Sequence, residues 1–139
     1  MSLPVVLPMK KLLIVAGPQG SGNHLFARLL SAHPNVVGWD SLKDNYWVPS
    51  DEEPFARYWV HPEELTFPEG EFFCANVSVP FFYDGVRQVP KIKEVAQKAI
   101  SLGVQPIIAL IVRDRNINEL QQKRVGGEVT MDTALEYFK

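Results

Sequence analysis

A glycine-rich loop between an apolar run and an amphipathic segment constrains the fold of this chain more than any other feature. The run Lys11–Ala16 predicts a strand, and three glycines follow within six residues, at Gly17, Gly20 and Gly22. The apolar spacing after the loop predicts a helix over Ser21–Ala32. The first N–H groups of a helix lack partners within it and lie at the positive end of its dipole, while glycines allow close backbone approach. The order strand, loop, helix therefore predicts a cradle for a phosphate or sulfate.

The loop departs from ordinary ATP- and GTP-binding loops at two positions. Their pattern, Gly-x-x-x-x-Gly-Lys-Ser/Thr, matches at Gly17 and Gly22, but Asn23 stands at the lysine position and His24 at the hydroxyl position. The lysine would neutralise phosphate charge, and the hydroxyl would hold Mg²⁺. We therefore expect an anion site that needs no metal. A P-loop kinase for nucleotides or phosphorylated metabolites is the alternative.

The loop and the residues after it resemble the sulfotransferase version of the P-loop. The family pattern is Gly-x-Pro-Arg-Ser-Gly-Thr-Thr-Leu-Leu-x-x-Leu-Leu-x-x-His-Pro-x-Val. The chain agrees with it at Ser21, Gly22, Leu25, Leu29, Leu30, His33, Pro34 and Val36. Gly20 replaces the basic residue of the family, and Asn23 and His24 replace its paired threonines, although both side chains can still donate hydrogen bonds to an oxyanion.

The resemblance implies a ligand as well as a loop. In sulfotransferases the loop binds the 5′-phosphosulfate of the co-substrate 3′-phosphoadenosine 5′-phosphosulfate (PAPS), and no metal is needed. The positions that the resemblance assigns to this role are Gly20, Ser21, Gly22, Asn23 and His24.

A second apolar run, Ile107–Val112, predicts a strand buried on both faces of a parallel sheet. Sulfotransferases follow the corresponding strand with an Arg and, eight residues later, a Ser, which hold the 3′-phosphate; here these positions are Arg113 and Gln121. An arginine suits a phosphate because its planar fork donates paired hydrogen bonds. The alternative is a surface arginine paired with an acidic side chain. We expect Gly17 and Arg113 at the carboxyl ends of neighbouring parallel strands, where α/β sheets bind ligands.

Two further sites bear on catalysis. The predicted strand Glu71–Val79 ends in a segment similar to the sulfotransferase sequence Glu-Lys-Ser-Pro, in which Ser78 matches and Asn76 and Val77 replace the acidic and basic residues. His24 is the candidate catalytic residue, because an imidazole titrates near neutral pH and can transfer a proton or donate to a sulfuryl oxygen. The alternative is a polar side chain that fills the loop.

Charge and composition exclude several classes of protein. The net charge is −2 and no Lys/Arg block exceeds a pair, so we expect no nucleic-acid partner. No stretch approaches the roughly 20 apolar residues of a membrane span. The single cysteine, Cys74, suits a reducing cytoplasm and is expected to be a small buried residue. The three histidines are too scattered to predict a metal site.

The remaining pattern predicts an α/β fold with a mostly parallel sheet and helices on both of its faces. The resemblance implies a single sulfotransferase-like P-loop domain over residues 1–139, in a three-layer α/β/α arrangement. Residues 38–70 are rich in proline and aromatic residues and predict an irregular segment. Its aromatic side chains either contact substrate or pack the segment down. The other expected elements are a strand at Val36–Val37, a helix from Pro90 to Gly103, a helix with a capping box of Asn116 and Glu119 that breaks at Gly126, and a helix over Met131–Phe138.

The resemblance implies transfer of a sulfuryl group from PAPS to the hydroxyl or amine of a small-molecule or glycan acceptor. Two alternatives stay open: a catalytically inactive anion- or nucleotide-binding accessory protein of the same fold, and a divergent P-loop kinase. Sulfotransferases are longer than this chain, so the expected alternatives are a minimal, divergent member, a fragment of a longer protein, or a descendant that binds an anion without catalysis. The expected location is the cytoplasm.

Overall fold

The structure, a computed structural model, describes residues 9–39, 48–126 and 129–139. The strands in these ranges are β1 (Lys10–Pro18), β2 (Val36–Val37), β3 (Phe72–Val79), β4 (Phe81–Tyr83), β5 (Val86–Gln88) and β6 (Val104–Leu110). The helices are α1 (Asn23–Leu30), α2 (Ile92–Ser101), α3 (Arg115–Gly126) and α4 (Met131–Tyr137). None of the helices described is both long and apolar enough to cross a membrane.

Four of the described strands form a parallel sheet in the order β2-β3-β1-β6. The central strand β1 places Leu13 opposite Cys74 in β3 and opposite Ile107 in β6. Strands β4 and β5 form a separate hairpin, whose turn residues Asp84 and Gly85 have φ angles of 53° and 75°. Two positive φ angles match the twist of a two-residue hairpin turn. The predicted α/β fold with a mostly parallel sheet is confirmed, whereas the hairpin was not predicted.

Helices pack on both faces of the sheet. On one face, Ile14 of β1 lies in the same buried cluster as Val95 of α2 and Ala134 of α4. On the other face, Val15 of β1 packs with Ala27 of α1. Successive residues of a strand point to opposite faces, so the unbroken apolar run of β1 supplies both clusters.

Strand β6 differs from the prediction in position and in burial. It spans Val104–Leu110 rather than Ile107–Val112, and it lies at an edge of the sheet. Ile108 and Val112 are 52% and 70% exposed. The prediction that this strand is buried on both of its faces is therefore wrong for the residues that the structure describes. An apolar run predicts a parallel strand but does not distinguish a central strand from an edge strand.

Pro106 provides the signal that distinguishes the two. The N–H of Ile111 donates to Ala16 O at 2.8 Å and therefore points toward β1. Backbone N–H groups alternate sides along a strand, so those of every second residue before Ile111 also point toward β1. Pro106 has the opposite parity, and its nitrogen faces the open edge. A proline costs no ladder hydrogen bond at that position, as is usual for edge strands.

Two predicted helix starts need correction. Helix α1 begins at Asn23 rather than Ser21, because Gly22 adopts a left-handed conformation with φ of 97°. Helix α3 begins at Arg115, and Asp114 caps it: its Oδ1 accepts the N–H groups of Asn116 and Ile117 at 3.0 and 3.2 Å. The predicted capping box at Asn116 is therefore wrong. Helices α2 and α4 lie where the sequence predicts them.

The structure describes residues 38–39 and 48–70 of the proline- and aromatic-rich segment. The second range contains three short 3-10 turns, at Ser50–Glu52, Ala56–Trp59 and Pro62–Glu64. Trp59 is buried, and the ring of Phe67 lies 4.7 Å from that of Phe73 in β3. The interpretation that aromatic side chains pack this segment down is confirmed for these residues. Trp47 lies outside the described residues.

Cys74 is a buried residue of β3, as predicted. Its Sγ lies 3.9 Å from Ala27 O, a long contact in which the thiol donates. Burial raises the pKa of the Cys74 thiol to about 11. A thiol in this environment stays protonated at neutral pH and is a poor nucleophile.

Candidate functional site

The loop after β1 leaves a run of backbone N–H groups without a protein partner. The φ angle of Gly20 is 75°, in a region that glycine adopts without strain. The N–H of Ser21 donates to Pro18 O at 3.1 Å and is already satisfied. In the described part of the chain, no protein acceptor is found for the neighbouring N–H groups of Gly20, Gly22, Asn23 and His24. The loop therefore has the donors of an anion cradle, but Ser21 does not contribute its own.

Arg113 reaches this loop from the end of β6. Its Nη1 donates to Gly20 O at 2.9 Å. Because β6 pairs in parallel with β1, the expectation that Gly17 and Arg113 lie at the carboxyl ends of neighbouring parallel strands is confirmed. Within the described ranges the partner of Arg113 is a carbonyl oxygen and not a carboxylate, which argues against the surface ion pair.

Buried polar side chains of α3 and of the segment after it hold the loop in place. The side-chain amides of Asn118 and Gln122 both donate to Gln19 O, the latter at 2.9 Å. The hydroxyl of Thr130 donates to Gln19 Oε1 at 2.6 Å. The sequence analysis missed these residues, although Asn118 and Gln122 are four positions apart and so share one face of a predicted helix.

Gln121 lies directly beside the loop. A Cβ added to Gly20 would lie 2.9 Å from Gln121 Cγ, which is closer than real Cβ contacts. The loop has no room for a side chain at Gly20 unless Gln121 moves. This crowding gives a physical reason for the glycine at the position where the sulfotransferase pattern has a basic residue.

The side chain of Asn23 is bonded beneath the loop. Its Nδ2 donates to Ser78 Oγ at 3.1 Å and lies 3.3 Å from Ser21 Oγ. Both Asn23 and Ser21 are buried. The amide of Asn23 is therefore engaged within the protein, contrary to the expectation that it donates to an oxyanion, and only its backbone N–H is available.

Asn76 of β3 joins four elements of the site. Its Oδ1 accepts the indole N–H of Trp39 at 2.9 Å, and its Nδ2 donates to Glu53 Oε2 at 3.0 Å. The same Nδ2 lies 3.3 Å from Asn23 Oδ1. Asn76 is 1% exposed. A buried amide with all these partners holds the loop, the Trp39 segment and the 3-10 turn before Glu53 in one arrangement.

His24 and Glu53 form a pair at this site. His24 Nδ1 lies 3.1 Å from Glu53 Oε1, and the His24 ring lies 4.5 Å from the ring of Trp39. The side chains are 28% and 13% exposed, respectively. Burial raises the pKa of the Glu53 carboxyl above its ordinary value, and its hydrogen bonds with His24 and Asn76 oppose that shift. The sequence analysis missed Glu53 because it lies in the irregular segment.

The glycine-rich loop, Arg113 and the pair of His24 and Glu53 border one open cavity of about 520 Å³. Its positive side chains are Arg113 and Arg87, and its acidic side chain is Glu53. The guanidinium carbon of Arg87 lies 5.2 Å from the centre of the Phe82 ring, so the hairpin places an aromatic surface at the same cavity. The volume lies within the usual range for small-molecule sites.

The structure brings most of the predicted site residues to this cavity. Those that line it are Gly20, Gly22, Asn23, His24, Arg113 and Gln121. Ser21 is buried beneath the loop instead. In the described residues no group of three or more His, Cys, Asp or Glu side chains could hold a metal ion. No protein-family model, curated protein or solved structure matches this chain.

Proposed function

We propose that this cavity binds a PAPS-type nucleotide. The 5′-phosphosulfate lies against the N–H groups of Gly20, Gly22, Asn23 and His24, and the 3′-phosphate lies beside Arg113 and Gln121. The observation that carries the proposal is that Arg113 and the unpaired loop N–H groups border one cavity. Helix N-terminal donors together with a guanidinium group favour a ligand with two anionic groups.

The proposed reaction transfers the sulfuryl group of PAPS to the hydroxyl or amine of a small-molecule or glycan acceptor. Positioning of the two reactants and stabilisation of the developing charge by the loop would supply most of the rate. The acceptor site is the part of the cavity near Phe82 and Leu25, whose apolar surfaces can hold its carbon skeleton. The proposed location of this activity is the cytoplasm, and the proposed fold family is that of the P-loop proteins.

A binding protein without catalysis is the second candidate, and two observations favour it. The basic position of the sulfotransferase loop is Gly20, where Gln121 leaves no room for a side chain. In the segment of β3 that is similar to the sulfotransferase sequence Glu-Lys-Ser-Pro, Val77 occupies the lysine position and is buried in the apolar core. Neither location can present a cation to a sulfuryl group.

Calorimetric titration with a panel of ligands tests the proposal. The panel is PAPS, its desulfated 3′,5′-bisphosphate, ATP with Mg²⁺, sulfate and phosphate, each measured with and without EDTA. We expect the two 3′-phosphorylated nucleotides to bind most tightly and EDTA to have no effect on them. Binding of ATP that EDTA abolishes would favour the kinase alternative, and failure of both 3′-phosphorylated nucleotides to bind would overturn the proposal. Binding without sulfuryl transfer would support the second candidate.

A further inference from the structure

Glu53 is an acidic side chain in a cavity whose other charged side chains, Arg87 and Arg113, suit an anion. A carboxylate repels an anionic ligand, so nucleotide binding does not explain its presence. Its two oxygens have separate partners, since Oε1 pairs with His24 Nδ1 and Oε2 accepts from Asn76 Nδ2. These two contacts fix the orientation of the carboxyl group relative to the imidazole.

The pair has the geometry of an oriented acid–base group. Glu53 holds Nδ1 of His24 at 3.1 Å, and the Trp39 ring packs against the imidazole at 4.5 Å. His24 lines the cavity through a side chain that is 28% exposed. An imidazole whose Nδ1 is held by a carboxylate can exchange a proton at Nε2, and such second groups commonly set its tautomer.

We propose that His24 and Glu53 form the acid–base pair of this site, in which Glu53 positions the imidazole and His24 Nε2 takes the proton of the attacking acceptor. This inference rests on the proposed sulfuryl transfer. A bond forms between the acceptor oxygen and sulfur, and the bond between sulfur and the bridging oxygen of the 5′-phosphate breaks. The electron pair of that bond stays on the phosphate, and the acceptor proton moves to Nε2.

Other charged groups near the pair enter its pH dependence. Arg87 and Arg113 line the cavity, and the guanidinium carbon of Arg28 lies 5.6 Å from the centre of the Trp39 ring. Asp51 and Glu52 are exposed on the turn that precedes Glu53. The residues of β3 beside the pair, Asn76 and Ser78, are uncharged.

The chain provides a matched control pair. His61 Nδ1 lies 3.6 Å from Glu63 Oε1, and both side chains are about half exposed or more. His61 and Glu63 do not line the cavity. Substitution of His61 therefore tests what the loss of a histidine–glutamate contact does without affecting the proposed chemistry.

The experiment uses water as the acceptor, so that no natural acceptor has to be identified. Cleavage of PAPS to the 3′,5′-bisphosphate and sulfate is measured with protein in excess, across pH, for the wild type and for His24→Gln, Glu53→Gln, Glu53→Asp and His61→Gln. Calorimetry with the 3′,5′-bisphosphate and urea unfolding are run on each protein.

We expect His24→Gln to slow cleavage by about 100-fold or more, within the usual range for a general acid or base. Glu53→Gln should slow it by about 10-fold, because the imidazole loses the carboxylate that positions it. Glu53→Asp should restore part of the rate, and His61→Gln should stay within about twofold of the wild type. The affinity for the bisphosphate should change by less than about threefold in all variants.

The possible failures are distinguishable. If the wild type does not bind the bisphosphate, the proposed nucleotide site itself is wrong. If it binds the bisphosphate but does not cleave PAPS, or if His24→Gln and Glu53→Gln cleave at the wild-type rate, the acid–base pair is overturned while nucleotide binding stands. If the cleavage rates of the variants fall only in proportion to their loss of bisphosphate affinity or of folding stability, the contact between His24 and Glu53 is structural and the acid–base pair is overturned.

Discussion

The two strands that flank β1 support the glycine-rich loop in different ways. On the β3 side, Asn76 and Ser78 form side-chain hydrogen bonds with Asn23, and Asn76 also donates to Glu53. On the β6 side, Arg113 is exposed and makes one hydrogen bond to the loop. Both strands are parallel to β1 and end at the same edge of the sheet.

The difference assigns separate tasks to the two sides. Buried polar groups that lose a partner keep their full desolvation penalty, so damage on the β3 side should reduce folding stability. An exposed guanidinium adds little to folding but can form charge-assisted bonds with an anionic ligand. We therefore expect the β3 side to govern the free energy of unfolding and the β6 side to govern ligand affinity.

Asn76→Leu should have the largest effect. The substitution leaves Trp39 Nε1, Asn23 Oδ1 and one oxygen of Glu53 without their present partner. At roughly 1–3 kcal/mol for each of these three unsatisfied groups, the free energy of unfolding should fall by about 3–9 kcal/mol, measured by urea denaturation. The control Asn116→Leu changes an exposed residue and should cost less than about 0.5 kcal/mol. Similar losses for the two variants would remove the distinction between the sides.

Arg113→Ala should affect affinity rather than stability. Loss of a charge-assisted contact should cost roughly 1.5–3 kcal/mol of binding to the 3′,5′-bisphosphate, which is about a 10- to 150-fold weaker Kd by calorimetry. A nucleotide without the 3′-phosphate should lose little. Arg57→Ala removes an exposed arginine that pairs with Glu64 and does not line the cavity, so it should bind like the wild type. Equal losses for both ligands would reduce Arg113 to a surface residue.

Glu53, which accepts a hydrogen bond from Asn76 of β3, should make the free energy of unfolding depend on pH. Burial raises the pKa of its carboxyl in the folded protein, so the folded state holds this proton more tightly than the unfolded state. The resulting stabilisation is complete below the unfolded pKa of about 4.3 and is lost as the pH rises through the folded pKa. Glu53→Gln stays neutral, so its stability relative to the wild type should increase from pH 4 to pH 8 in urea titrations.

Two outcomes bear on that prediction. The exposed control Glu63→Gln should change the free energy of unfolding by less than about 0.5 kcal/mol. A Glu53→Gln variant whose stability difference is flat with pH, or falls as the pH rises, would show that the His24 interaction outweighs burial at Glu53.

Gln121→Ala should have the smallest effect. Comparing it with Gln122→Ala separates ligand affinity from folding stability at two neighbouring residues of α3. An uncharged amide contributes about 0.5–1.5 kcal/mol, so affinity for the bisphosphate should fall about 2- to 12-fold with little change in unfolding. The neighbouring Gln122 is buried and donates to Gln19 O, so Gln122→Ala should instead lower the free energy of unfolding by about 1–3 kcal/mol. The reverse pattern would mean that Gln121 holds the loop and Gln122 faces the ligand.

Much of the fold follows from local patterns, because these record burial and backbone conformation residue by residue. The run over β1 predicts a strand inside the sheet, and the apolar spacing before Gly103 predicts α2. The hairpin β4–β5 was missed, although Asp84 and Gly85 are a recognised turn pair. The edge position of β6 was also missed, because its composition resembles that of a buried strand and only Pro106 indicates otherwise.

The sequence by itself determined the strand, loop and helix around Gly20, and its resemblance to sulfotransferases indicated that Arg113 meets this loop at the carboxyl end of the sheet. Both depend on local conformation and on the rule that parallel strands end together. Only the tertiary structure decided that Asn23 bonds inward and that Glu53 meets His24, 29 residues away in the chain. The orientation of a polar side chain is set by the partners that surround it in space, and no local pattern records where a distant segment will place them.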